Sequence, residues 1–305
     1  MGKVELICNE FISVAVDPEN GGTIQHIGRS FAPDTNVLAW YEWDEPIGLS
    51  LEFDENESAR HWLSRYRGGW QFLTPNAGKE CVFNGVRYSF HGDSSYLPWS
   101  VTFSDARTIA LEITIQARLK VLRALTINPT MAGMELHTTL TNLTDMPEEV
   151  VLVEHAAFQG SPNIVVSAPE DSRWKFDGDF MEDGRNSRLW HEPEAVINDL
   201  AYPIKDRTER MTYLADGSEG WISIIDSDRR IGAKLTWDPI KLPYLWYWQE
   251  QKSPGFPFYG RAEMTALEPA SCLPTDTLAG ASKAGRSTVI APRAEYSFAV
   301  SLELI

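Results

Sequence analysis

Short strand-forming runs, cut repeatedly by turn residues, constrain this chain more than any other feature. Residues 112–119, 124–128, 134–143, 150–154, 220–225, 231–237 and 296–304 are rich in Val, Ile, Thr and aromatics. Between strand runs lie clusters such as Asp17-Pro-Glu-Asn-Gly-Gly22 and Asn128-Pro-Thr-Met-Ala-Gly133. Ser297-Phe-Ala-Val-Ser-Leu-Glu-Leu304 alternates apolar with polar, the period of an antiparallel strand with one packed face. No stretch keeps a helical period over three turns, and the neighbourhood of Glu57–Tyr66 is the best helix candidate, a short one. The pattern predicts an all-β chain: a large antiparallel β-sandwich. No linker or fixed-period repeat divides it, so one domain over 1–305 is expected. The polar stretch 169–206 reads as a functional loop or excursion and not as a domain joint.

Charge and composition narrow the function. With 27 Lys+Arg against 43 Asp+Glu the net charge is −16. That balance opposes binding to nucleic-acid phosphates or an anionic membrane surface. It leaves open an anionic small molecule held by a few local cations. No apolar run approaches the length of a membrane span, and the opening MGKVELICNE lacks the apolar core of a secretory leader. The three cysteines, Cys8, Cys81 and Cys272, are scattered. They fit reduced thiols in a cytoplasmic protein better than a disulfide framework or a zinc site.

The six histidines form neither HxxxH nor HExxH, and no phosphate-binding loop, dinucleotide fingerprint or G-x-S-x-G elbow occurs. No metal and no cofactor are expected. His91 follows Val86-Arg-Tyr-Ser-Phe90 and precedes Gly92; at a strand end it faces a cleft or caps a turn. His155 follows Val150-Val-Leu-Val-Glu154, a run apolar on both faces. Burial there favours a neutral imidazole, used in chemistry or bonded to backbone. Glu268 shares a strand face with Met264 and Ala266, and Pro269 keeps its backbone extended. A carboxylate on an apolar face is costly unless bonded or used; otherwise Glu268 reaches solvent at the strand end. Tyr244, Trp246 and Trp248 share another face, as a core stripe or as a platform for the C–H face of a sugar.

Taken in order, these segments resemble the aldose 1-epimerase (galactose mutarotase-like) family. The resemblance runs through Asp17–Ile27 with Asn36, Gly68-Gly69-Trp-Gln-Phe-Leu-Thr-Pro75-Asn76-Ala-Gly78, Asn84–Gly92 with Pro98-Trp99, Met134–Phe158, and Leu267-Glu268-Pro269 with Leu278 and Pro292. It implies the family's supersandwich, a sugar bound in a cleft on one sheet, and interconversion of α and β anomers. Carried onto this chain, the general base is Glu268, the general acid His155, and His91 binds and polarises the sugar. Arg65 and Arg67 fall near the family's sugar-contacting Arg, or form a clamp for an anionic sugar. Asn76 and Trp246 complete the expected substrate contacts. Acid and base are expected on opposite sides of the anomeric centre.

The chain departs from the family at Asp93, after His91-Gly92, and at Ala156-Ala157-Phe158, after the second histidine. Asp177, Asp179, Asp199 and Asp238 are all candidates for the family's sugar-binding Asp. A carbohydrate-binding or regulatory protein on the same scaffold is the alternative function. A hydrolase is disfavoured, because it wants two carboxylates flanking the bond and only Glu268 stands out. The partner expected is a small-molecule sugar; the oligomeric state is not legible.

Overall fold

The alternation read in the sequence becomes the interior of two facing sheets. The computed structural model describes residues 4–42, 57–170, 172–176, 209–215, 217 and 219–305. The first strands are β1 (Glu5–Cys8), β2 (Ile12–Asp17), β3 (Thr23–Arg29), β4 (Gly69–Leu73), β5 (Cys81–Phe83), β6 (Val86–Tyr88) and β7 (Ser100–Ser104). Then come β8 (Thr108–Ile115), β9 (Leu119–Ile127), β10 (Gly133–Asn142), β11 (Glu148–Val150), β12 (Val153–Gln159), β13 (Ile164–Ser167) and β14 (Arg173–Phe176). The chain closes with β15 (Glu209–Ala215), β16 (Trp221–Asp226), β17 (Ile231–Trp237), β18 (Tyr244–Gln251), β19 (Glu263–Ala270), β20 (Thr288–Ile290) and β21 (Glu295–Leu304). Helix α1 (Glu57–Arg65) precedes β4 and helix α2 (Leu278–Lys283) follows β19.

One sheet has nine strands in the order β1-β2-β3-β4-β12-β19-β18-β15-β14, the other eight in the order β13-β16-β17-β21-β10-β9-β8-β7. Their inner faces form the main core. Leu136 of β10 lies opposite Leu125 of β9 and Val300 of β21, and all three are buried. From the nine-stranded sheet, Trp70, Phe72, Ala156, Phe158, Leu267 and Tyr247 meet them, each large apolar side chain stabilising by about 1.5–3 kcal/mol. One inward position of β9 breaks the apolar rule. Arg123 is buried and pairs bidentately with Glu154 of β12 at 2.8 and 2.9 Å, while Trp70 Nε1 donates to the same carboxylate at 2.7 Å.

β12, β19 and β18 are buried on both faces, because a second layer covers the sheet's other side. The β5–β6 hairpin and α2 pack there with Trp246, and Trp62 of α1 and Tyr66 just after it with Trp248. Thr277 caps α2, accepting the Gly280 N–H.

Two sequence expectations shift. The run 112–119 spans the end of β8, a turn and the start of β9, because Gln116 and Ala117 adopt φ 51° and 56° with no glycine to mark the turn. The run 150–154 divides between β11, paired with β20, and β12, paired with β4 and β19. His155 therefore lies within β12 and not at a strand end. No helix among the described residues is long and apolar enough to cross a membrane.

Candidate active site

The site grows from strand register. Gln71 of β4 pairs with His155 of β12, and Ala156 pairs with Leu267, which sets His155 level with Glu268 of β19; Glu268 pairs in turn with Trp246 of β18. Cross-strand partners share a face, so Gln71, His155, Glu268 and Trp246 form one transverse row on the side away from the main core. Glu268 follows Met264 and Ala266 on that face, as its spacing predicts, and β19 continues through Pro269 to Ala270.

Glu268 Oε2 lies 2.7 Å from His155 Nδ1, with both side chains buried. The two groups lie at ion-pair distance, and neither atom completes a hydrogen bond. On the other ring nitrogen, His155 Nε2 lies 3.0 Å from the Tyr66 hydroxyl. Tyr66 follows α1 and stacks on Trp62 at 4.6 Å, and it also packs against Trp248 and Phe258. Burial, with the Glu268 charge beside it, pushes the Tyr66 phenol well above its ordinary range, so it stays protonated.

His91 joins the cluster from a different backbone. It has φ 58°, beyond the end of β6, so strand alternation does not carry its side chain. Gly92 follows at φ 71°, and a Cβ there would stand 2.5 Å from the carbonyl oxygens of both Thr74 and Asn76. This close approach requires glycine. The His91 ring lies 5.8 Å from that of His155 and 4.5 Å from Trp62. Gly78 N–H donates to His91 Nδ1, which puts the proton of the neutral ring on Nε2.

Burial, reinforced by nearby His155, holds His91 well below the ordinary histidine range. The unfolded chain therefore takes up this proton first as pH falls. The contribution to stability is complete above the ordinary value near 6.5 and declines below it, by up to about 1.4 kcal/mol per pH unit. Replacing His91 by Gln should flatten the acid side of the stability profile. Urea unfolding of both proteins at pH 7 and pH 5 checks this: an equal loss in both would show that His91 does not titrate as its burial requires.

Glu268, His155 and His91 thus converge from three separate segments, while the other expected contacts do not join them. Arg65 is exposed at the end of α1. Arg67 is half-buried, and its charge opposes the rise that burial gives the Asp17 carboxyl. Asn76 is a latch: Nδ2 donates to the carbonyls of Lys79 and Ser89, and Oδ1 accepts from Leu278 N–H and Cys81 Sγ. No polar capacity remains for a substrate. Trp246, 1% exposed, donates Nε1 to the Cys272 carbonyl under the β5–β6 hairpin; it is core and not a platform. Asp93 accepts from Tyr96 and Gln116. Asp238 caps the β17–β18 turn, accepting from Ile240 N–H, while Asp177, Asp179 and Asp199 lie outside the described residues.

Sequence reasoning passed over Tyr66, Trp62 and Gln71. The i, i+4 spacing of Trp62 and Tyr66 on a predicted helix was the available signal for the first two. A lone amide within Trp70-Gln71-Phe72-Leu73 was the signal for the third. Among the described residues, no group of three or more His, Cys, Asp or Glu converges as a metal would require.

The profile of one protein family, described as a domain of unknown function (DUF4432), matches residues 27–304. No curated protein matches the chain significantly. Among solved structures, the Slr1438 protein of Synechocystis sp. PCC 6803 superposes with a TM-score of 0.70 at 15% identity, covering 100% of this chain and 96% of that one. A galactose mutarotase related enzyme from Lactobacillus acidophilus gives 0.68 at 14% identity, over 99% and 97% of the two chains. The GalM/aldose epimerase homologue from C. elegans gives 0.68 at 13%, over 100% and 99%. The fold is that of the galactose mutarotase-like β-sandwich.

Proposed function

The chain belongs to the DUF4432 family, and from its fold and its buried Glu268–His155 pair we propose that it is an aldose 1-epimerase-like enzyme, interconverting the α and β anomers of a sugar by Glu/His acid–base catalysis. We take residues 1–305 as one domain acting on a small sugar, with no metal or cofactor called for. One observation carries the reading: a buried carboxylate, Glu268, touches the imidazole of His155 at 2.7 Å while Oε1 has no hydrogen-bond partner. A buried acceptor in that state is costly, and a sugar hydroxyl supplies the missing donor.

The geometry revises the expected arrangement. Acid and base are neighbours in one row, so the sugar does not lie between them. The anomeric hydroxyl and the ring oxygen are bonded to the same carbon, and adjacent groups reach both. Glu268 takes the proton from the C1 hydroxyl as His155 passes a proton from Nε2 to the ring oxygen, and the bond between C1 and the ring oxygen breaks. The open aldehyde rotates about C1–C2, and the reverse transfers close the ring on the other face. Each transfer is worth about 10²–10⁴-fold. His91, neutral with Nε2–H as donor, binds a sugar oxygen nearby. Tyr66 yields its place on Nε2 to the ring oxygen, so the aromatic wall of α1 shifts when sugar enters.

The occupied Nε2 also favours a second reading, a carbohydrate-binding protein with its acid–base pair idle. Saturation-transfer NMR of anomer exchange decides between them, across neutral, phosphorylated and acidic aldoses, with His155→Ala as control. Accelerated exchange on one sugar, lost in His155→Ala, is the expected result. Binding without acceleration on any sugar would establish the second reading instead.

A further inference from the structure

Beside the acid–base pair, the same transverse row holds a third polar group. Gln71 is 6% exposed, and its carboxamide Oε1 is buried without a hydrogen-bond partner. Three consecutive members of the row, on the neighbouring strands β4, β12 and β19, therefore carry atoms that complete no hydrogen bond: Gln71 Oε1, His155 Nδ1 and both oxygens of Glu268, of which Nδ1 and Oε2 meet each other at 2.7 Å.

The orientation of the Gln71 amide is fixed by its surroundings. Its Nε2 lies 3.3 Å from the Ser95 carbonyl and 3.3 Å from Thr23 Oγ1. A carbonyl only accepts, and the Thr23 hydroxyl already donates to the Asn20 carbonyl at 2.5 Å. Both neighbours require a donor, so nitrogen must face them. Turning the amide over would set oxygen against two acceptors. The orphaned atom is thus the oxygen, an acceptor that only a donor can satisfy.

We propose that Gln71 is a substrate-binding residue whose carboxamide oxygen accepts a hydrogen bond from a sugar hydroxyl remote from C1, making it a determinant of which aldose is taken. The proposal rests on the epimerase reading. Adjacent strands are about 4.8 Å apart, and β12 separates β4 from β19, so Gln71 and Glu268 hold different parts of one sugar. An acceptor at this position selects a neutral hydroxyl there and opposes a phosphate or carboxylate, whose oxygens would face it without a proton between them. The merely structural account has Gln71 present only to serve Ser95 and Thr23. It predicts that substitution weakens the fold with no regard to the hydroxyls of the sugar.

The test pairs Gln71→Met, similar in size but without the acceptor, with the preferred aldose and its monodeoxy derivatives. In the wild type, removing one particular hydroxyl should lower kcat/KM by about 10–100-fold. In Gln71→Met the parent sugar should fall to the level of that deoxy sugar, chiefly through KM, while the deoxy sugar is unaffected by the substitution. Equal losses on every sugar, or no loss at all, overturn the proposal. Should the variant not fold, the side-chain ¹⁵N resonance of Gln71 in the wild type replaces it. That resonance should move with the parent sugar and not with the deoxy sugar, and a shift with neither overturns the assignment. Absence of exchange with a retained Gln71 shift would sink the epimerase reading alone. Exchange with unaltered hydroxyl dependence in Gln71→Met would sink this one alone.

Discussion

Glu268→Gln is expected to leave sugar binding nearly intact and to slow anomer exchange by about 10²–10⁴-fold, the usual worth of a positioned general base. The amide keeps the shape of the carboxylate but cannot take the C1 hydroxyl proton. Stability should not follow activity downward. Glu268 is 1% exposed, meets the His155 ring at 2.7 Å and completes no hydrogen bond with either oxygen, so the native site carries a carboxylate whose desolvation this one contact offsets only in part and a neutral amide relieves. An unchanged or raised melting temperature together with a collapsed exchange rate is the signature of a residue kept for chemistry. Full activity in the variant would remove Glu268 as the base. A matching loss of stability would assign it to the fold.

The largest effect on stability is expected at the opposite face of the neighbouring strand, β12. Arg123→Met removes the bidentate partner of Glu154, leaving Trp70 Nε1 as the carboxylate's one remaining donor in a fully buried position. Breaking one side of a buried ion pair costs about 3–5 kcal/mol. The guanidinium also lies 4.6 Å over the Phe72 ring, a contact that Met retains only as packing. Urea unfolding measures the loss, and the double variant Arg123→Met/Glu154→Gln should recover much of it, since no unpaired charge remains. A single-variant loss below about 1 kcal/mol, inside the range of exposed pairs, would show that water reaches the pair. β12 presents Glu154 to the main core and His155 to the row beside Glu268, so the ion pair anchors the strand that carries the proposed acid.

Local pattern made much of this legible. Period-2 alternation and turn clusters implied antiparallel sheets, and α1 was expected almost where it lies. Glu268 was conspicuous because a carboxylate among Met264 and Ala266 breaks the rule of the face it occupies. His91 and His155 were singled out with it, and all three converge. The row itself was not legible. Gln71, His155 and Glu268 become neighbours through pairings of β4 with β12 and of β12 with β19, which join residues more than 80 and more than 100 positions apart in the chain. Tyr66 was missed because a helix read by itself does not reveal which strand its aromatic residues will cover.

Asn76 and Trp246 mark the limit from the other side. Both lie in segments that suggested sugar contact, and both are consumed by the scaffold: Asn76 ties its loop to the start of α2, and Trp246 fills the space beneath the β5–β6 hairpin. Residue type and strand face are local properties, and the sequence by itself determined them: an all-β architecture, one out-of-place carboxylate and two histidines of interest. Which side of each sheet a second layer covers, and which buried polar atoms are left without partners, depends on contacts between distant segments. Those contacts are set by closing the sandwich and packing α1, α2 and the hairpin upon it. Only the tertiary structure decided, therefore, that Glu268 touches His155, that Arg123 answers Glu154, and that Gln71 Oε1 is left without a donor.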